Sequence, residues 1–312
     1  ASPTGQPDIF LYDVNTRTKK QVAGGPGWID VGGQFVEDDK EIVFVSDIHL
    51  SPGQDWSDCI WKYTPNEEIP NLIERFVSIV NDELKPDLII ELGDRIIDVD
   101  NNSDCKNTAA IFEEIDNKVK CPVFHVDGNH DVVHVGKPEL ARLLENPELP
   151  YVRIYNGYKC IFFDSLDPMI DGVGGAVSEK QLEWLRHEMN CDDLPKMVFS
   201  HHPLNYHEIH RNFLIPSDTV PLMKVANCNE VRKILEEGKR FLFHGSGHLH
   251  WWSFRVTPKG TYLVNPPLSA AHPERINAPG WFMEADIWPK GKIDVKIHSI
   301  VPRRVVGNFV NC

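Results

Sequence analysis

The chain has 312 residues, 41% of them hydrophobic and 25% charged, and its 32 basic and 46 acidic side chains give a formal charge of −14. This is ordinary globular composition, which excludes disorder, collagen and low complexity, and the length allows one large or two modest domains with a buried core. The acidic balance, with no Lys/Arg-rich block beyond short clusters such as Arg303-Arg304, argues against long nucleic acid as a partner, and with no apolar run of about 18 residues no membrane span is expected.

Residues 1–40 stand apart. They carry Gly24-Gly25-Pro26-Gly27 and Gly32-Gly33 and no helical pattern. Ile9-Phe10-Leu11-Tyr12 followed by Asp13-Val14-Asn15-Thr16 reads as a strand entering a turn. The stretch up to Asp38-Asp39-Lys40 resembles one repeat of a TolB-type β-propeller. One repeat cannot close a propeller and no second copy follows, so residues 1–40 are expected to form an N-terminal β segment packed on a main domain of residues 41–312.

From residue 41 strands and helices alternate. Ile42–Val45 is an apolar run of the kind that a strand buried on both faces shows. Leu72, Phe76, Ile79 and Val80 share a helix face, with Pro70 near its first turn. Leu88–Leu92 is the next strand, Ala110, Phe112 and Ile115 lie in a second helix, and Val123–Val126 is a third strand. Ser178-Glu179-Lys180-Gln181 is a capping box opening a helix through Met189. Met197–Ser200 is a strand, Glu230–Glu237 a helix stopped by Gly238, and Phe241–Phe243 a strand. Tyr262–Val264, Trp281–Ile287 and Val295–His298 close the chain as strands. The class is α/β with an added β portion. No Gly-x-Gly-x-x-Gly or Walker loop follows any strand, so no nucleotide cradle is expected.

The seven cysteines form no Cys-x-x-Cys pair, which speaks against a zinc ribbon. Cys121 and Cys160 read as buried thiols, and Cys59 and Cys105 lie in polar loops where they would pair in an exported protein. Asn101-Asn102-Ser103 is a glycosylation sequon. The first residue is Ala1 rather than Met, as after removal of an export signal or trimming. The expectation is a protein without a membrane span whose compartment the composition leaves open.

Metal-binding residue types gather at five strand ends: Asp47-Ile48-His49, Gly93-Asp94-Arg95, Gly128-Asn129-His130-Asp131, His201-His202-Pro203, and Gly247-His248-Leu249-His250. Ligands of open α/β sheets sit beyond the carboxyl ends of strands, so the five blocks converge. Asp-x-His and His-x-His each put two donors on one side. Imidazole and carboxylate together suit Zn, Fe and Mn. Seven such groups exceed the needs of one four-coordinate ion, whereas two ions sharing a carboxylate use them all. His202 and His244 read as packing residues, and His134, His207 and His210 as loop histidines after ligand blocks. Trp251 and Trp252 read as core or rim. His202 to Asn227 reads as a cap over the site.

In this order the blocks resemble the calcineurin-like metallophosphoesterase superfamily, over roughly residues 41–290. The likeness is closer to its bacterial-type cyclic-nucleotide and glycerophosphodiester phosphodiesterases than to purple acid phosphatases, which lack a His at position 49 and have Tyr at position 97. The resemblance implies an αββα sandwich of two mixed sheets. It implies one metal held by Asp47, His49, Asp94 and His250 and another by Asp94, Asn129, His201 and His248, with Asp94 bridging. It implies a dinuclear phosphoester hydrolase, most readily of a small phosphodiester, in which metal-bound hydroxide attacks in line and His130, oriented by Asp131, protonates the leaving alkoxide. A phosphomonoesterase with the same site and a non-catalytic scaffold on the same fold are the alternatives. Arg95 departs from the family's apolar residue at that position. It is a candidate to bind a substrate phosphate or to pair with Asp98.

Overall fold

In a computed structural model, residues 9–13, 18–23, 40–52, 67–204, 219–269, 280–288 and 290–311 are described. The chain divides into two units, Ala1–Asp38 and Asp39–Cys312. In the first, β1 (Ile9–Asp13) and β2 (Thr18–Ala23) pair antiparallel.

The second unit runs β3 (Lys40–Val45), α1 (Ile69–Ser78), β4 (Leu88–Glu91), α2 (Asn101–Glu114), β5 (Val123–His125), α3 (Lys137–Leu143), β6 (Tyr151–Tyr155), β7 (Tyr158–Phe162), β8 (Met169–Ile170) and β9 (Gly174–Gly175). It continues α4 (Glu179–Asn190), β10 (Lys196–Phe199), α5 (Cys228–Glu237), β11 (Phe241–Ser246), β12 (Ser253–Thr257), β13 (Gly260–Val264), β14 (Trp281–Ile287), β15 (Ile293–Ile300) and β16 (Arg303–Val310). One six-stranded sheet has the order β16-β15-β14-β3-β4-β5 and the other β12-β13-β11-β10-β7-β6. In each, a parallel core (β3, β4, β5; β7, β10, β11, β13) carries antiparallel strands at its margins.

Strand periodicity explains the layers. Ile42 and Phe44 of β3 face Met197 and Phe199 of β10 and Phe243 of β11 in one apolar cluster between the sheets. The alternate residues Val43 and Val45 turn the other way onto Leu72, Ile73 and Phe76 of α1. On the second sheet Ile161 and Val198 turn outward onto Leu182 and Leu185 of α4 and Val231 and Leu235 of α5. Both faces of the central strands are therefore buried, which is why they read as unbroken apolar runs. Each such side chain contributes about 1.5–3 kcal/mol by leaving water. The architecture is an αββα sandwich of two mixed sheets with helices outside.

Several local signals act as expected and some only in part. Pro70 stands at the start of α1, and the helix runs on through a π-helical turn, Ile79–Leu84. Ser178 caps α4 by accepting the N–H of Gln181 at 3.4 Å. Gln181 does not return the bond; its side chain accepts the N–H of Asp164 at 2.6 Å and donates to Asp164 O at 2.9 Å. Among the described cysteines all five are free, Cys160 buried and Cys105 and Cys121 partly so; Cys59 lies outside the described residues. Among the described residues no helix is long and apolar enough to cross a membrane.

Candidate metal centre

The parallel strands β3, β4 and β5 end together and deliver Asp47 and His49, Asp94, and Asn129. From the other sheet β10 and β11 deliver His201, His248 and His250. Asp47, His49, Asp94 and His250 place their ligand atoms within 4.8 Å of one another, and so do Asp94, His201 and His248. Asp94 belongs to both groups.

The backbone is bent to do this. Asp47, His49, Asp94, His248 and His250 all have positive φ, of 50°, 51°, 57°, 70° and 57°. Such residues cost about 1–2 kcal/mol each and collect at functional sites, where the surroundings enforce them. Here the enforcement is visible. The N–H groups of Asp47, His49 and Leu50 donate to the carbonyls of Gly93, Asp94 and Arg95 at 2.9, 3.1 and 2.8 Å, zipping the first two ligand loops together. The N–H of His248 donates to Asp47 Oδ1 at 3.1 Å, tying the sheets. A Cβ on Gly128 would lie 2.2 Å from both the backbone N and Oδ1 of Asp94, so only glycine admits this approach.

Within the first group His49 Nε2 and His250 Nε2 are 2.9 Å apart and His250 Nε2 is 3.4 Å from Asp47 Oδ1. Within the second, His201 Nε2 lies 3.3 Å from Asp94 Oδ2 and 3.2 Å from both Asn129 Oδ1 and His248 Nδ1. Atoms about 2.0–2.2 Å from one tetrahedral centre are spaced about 3.3–3.6 Å apart, so the separations of 3.2–3.4 Å are close to those of donors around an ion. His201 Nδ1 meets Leu92 O at 2.8 Å; a carbonyl only accepts, so Nδ1 carries a proton and Nε2 is the atom that could coordinate. His248 Nε2 is buried with no hydrogen-bond partner among the described residues. Burial and the neighbouring His250 push His49 down to about 3, the neutral ligand form. Burial opposes charge on Asp94, but His201 and His130 hold it well below the usual carboxylate range.

Two expectations are corrected. Asp131 does not stand behind His130: the carboxylate on His130 Nδ1 is that of Asp98. Asp131 instead accepts the backbone N–H groups of Asp94, Arg95 and Gly128 at 2.9, 2.9 and 2.8 Å and the Arg95 guanidinium at 2.8 Å. Nor does Arg95 reach substrate or Asp98. It is 0% exposed, and its side chain runs beneath the site to Glu91 and Asp131. Asp94 turns toward the other candidate ligands through its left-handed backbone, while Arg95 turns down onto the two buried carboxylates.

His130 donates its backbone N–H to Asp94 Oδ1 at 3.0 Å, and its ring centroid is 5.2 Å from that of His49. Burial opposes charge on the ring, but Asp94 and Asp98 keep its pKa above the ordinary value. His202 is buried with Nδ1 on Ser165 Oγ at 3.0 Å and Nε2 on Val173 O at 2.8 Å, its ring 4.1 Å from that of His248. His244 is buried against Ser200 Oγ, and His134 Nδ1 is on Asp104 Oδ2, each at 2.8 Å. Trp251 packs on Leu249 and Val264, and Trp252 on Phe309. His207, His210 and most of the expected cap lie outside the described residues. Asp98 was missed because no fixed spacing links it to a partner 32 residues on.

A family model described as calcineurin-like phosphoesterase matches residues 40–252, more than half the chain. The fold is similar to that of a dimetal phosphatase from Danio rerio, with TM-score 0.65 and 15% identity, covering 88% of this chain and 98% of that one. A purple acid phosphatase from yellow lupin (Lupinus luteus) seeds gives TM-score 0.58 and 12% identity over 97% of this chain and 58% of that one. GAP50, the anchor in the inner membrane complex of Plasmodium, gives 0.55 and 14% over 87% and 88%. A different likeness covers 46 residues, 54% identical to the Tol-Pal system protein TolB of Helicobacter pylori; they make up 15% of this chain and only 11% of TolB.

Proposed function

The chain belongs to the calcineurin-like phosphoesterase family, and from that premise we propose that it hydrolyses a small phosphodiester at a site for two metal ions. The observation that carries this reading is the pair of ligand groups sharing Asp94. Asp47, His49 and His250 with Asp94 would hold one ion, and Asn129, His201 and His248 with Asp94 the other. Mn, Fe or Zn suits that donor set. When bound, such ions supply Lewis-acid chemistry, lowering the pKa of water and offsetting phosphoryl charge.

The chain's own residues account for the rest. Asp94 gives Oδ1 to the N–H of His130 and keeps Oδ2 for the ions. His130 is the proton donor to the departing alkoxide. Asp98 on Nδ1 fixes the ring and favours its charged form, so delivery falls to Nε2. General-acid help of this kind typically contributes about 10²–10⁴-fold.

A dianionic monoester gains more from a nearby Lys or Arg than a monoanionic diester does. Among the described residues neither Asp47 nor Asp94 is ion-paired to one; their partners within range are histidines. Arg95, buried beneath the candidate ligands, is not placed to supply that charge, and the diester stays the first reading. A phosphomonoesterase is the second reading, since two of the similar structures are phosphatases by name. A non-catalytic scaffold would have no need of the full ligand set. Metal analysis combined with a panel of mono-, di- and cyclic phosphoesters tests the reading. Two ions per chain and fastest turnover of a diester are expected. Turnover of monoesters alone would transfer the assignment to the second reading, and a metal-loaded protein inert on the whole panel would end both.

A further inference from the structure

One layer below the ligands lies a set of charges shielded from water. Arg95 Nη2 donates to Glu91 Oε2 and to Val126 O, both at 2.6 Å, and Nη1 donates to Asp131 Oδ2 at 2.8 Å. Asp131 receives the N–H groups of Asp94, Arg95 and Gly128, as described above. Glu91 Oε1 receives the N–H of Gly93 at 2.8 Å, and Oε2 lies 3.2 Å from His125 Nδ1. Backbone donors from the loop carrying Asp94 and from the loop carrying Asn129 thus end on two buried carboxylates, and one guanidinium joins those carboxylates. Without that cation the two like charges would repel in a low-dielectric interior, and the loops they hold would be drawn apart. A planar two-pronged donor is what the arrangement requires, and a point-charge ammonium does not supply it.

We propose that Arg95 is a positioning residue for the metal centre: by joining Asp131 to Glu91 it fixes the spacing between Asp94 and Asn129 and so sets the affinity for the ion those two would share. The inference rests on the two-ion reading. Partners one layer out from a metal typically change its affinity by about 10–100-fold.

The test is titration of metal-free full-length protein with Mn(II), read as stoichiometry and affinity per equivalent, beside thermal unfolding of the same metal-free samples. Wild type binding a single equivalent overturns the two-ion reading, and this inference with it. With two equivalents in wild type, Arg95→Met should weaken one by about 10–100-fold and the other much less. In an Asp131→Asn background the same substitution should add little, because Arg95 acts through Asp131. A folded Arg95→Met protein with both affinities unchanged and only a lower unfolding temperature would reduce Arg95 to a structural role and overturn the proposal. If Arg95→Met does not fold, Arg95→Lys is read the same way: a weakened equivalent supports the proposal and two unchanged ones overturn it.

Discussion

Five candidate ligands with positive φ and non-glycine side chains define the problem at the scale of single residues. Glycine would relieve each backbone, so the side chains are retained for what their atoms do. Asp94→Ala should then empty both positions, whereas His250→Ala removes a donor from one. Elemental analysis of the purified variants distinguishes these, and full occupancy in Asp94→Ala would dismiss the shared carboxylate. The same logic separates ligation from proton transfer. His130→Ala and Asp98→Asn should both keep their metals and slow turnover. The loss should be greater for alkyl esters than for activated aryl esters, which leave without a proton; a uniform loss would make the pair a substrate-positioning device. That the candidate ligands would come together is legible in the sequence because each follows an apolar run at a strand end. For Arg95 the sequence offers a substrate phosphate or Asp98, and neither is its partner, because Glu91 and Asp131 come to it only through the fold. The Asp98–His130 contact was beyond any spacing rule, because the loops that create it meet only in the fold.

At the scale of elements, central strands were readable and marginal ones were not. β14 was read over Trp281–Ile287, the bounds it has in the structure. The hairpin of β6 and β7 was overlooked, although Asn156-Gly157, with φ of 47° and 84°, is the turn pair that antiparallel strands favour. β16 was also missed. Its residues are mostly exposed, so it lacks the apolar run that marks a buried strand. One pairing carries a cost that depends on pH. Glu41 of β3 lies opposite Asp286 of β14. Burial, then Glu284 and Asp286, raise Glu41 from 4.5 to about 7. The folded state therefore holds this proton more tightly than the unfolded chain. Its stabilising contribution is complete below pH 4.5 and is lost as pH rises through about 7. Glu41→Gln should accordingly add roughly 1 kcal/mol of stability near pH 8, a figure reduced for the residue's partial exposure, and almost nothing near pH 4. Denaturant unfolding at the two pH values measures it, and an equal gain at both would show that charge is not the cause.

Across the whole molecule, the two sheets divide the candidate ligands between them. Asp47, His49, Asp94 and Asn129 leave one sheet and His201, His248 and His250 leave the other. What brings the strand ends together is the apolar layer between the sheets, where Phe44 lies 6.3 Å from Phe199 and 6.0 Å from Phe243 between ring centres. Ions held by donors from both sides would act as a cross-link that the unfolded chain lacks. Metal binding should therefore raise the unfolding temperature. At a free metal concentration about 100 times Kd the gain is about 2.7 kcal/mol. For a unit of this size that corresponds to roughly 5 °C or more. Because the cross-link needs both sheets, a variant stripped on one side only, His201→Ala with His248→Ala and His250→Ala, should lose the rise as completely as Asp94→Ala does. Calorimetry of chelator-treated and metal-loaded samples makes the comparison. A wild-type protein that unfolds at the same temperature in both would show that the sheets are held by their apolar layer alone.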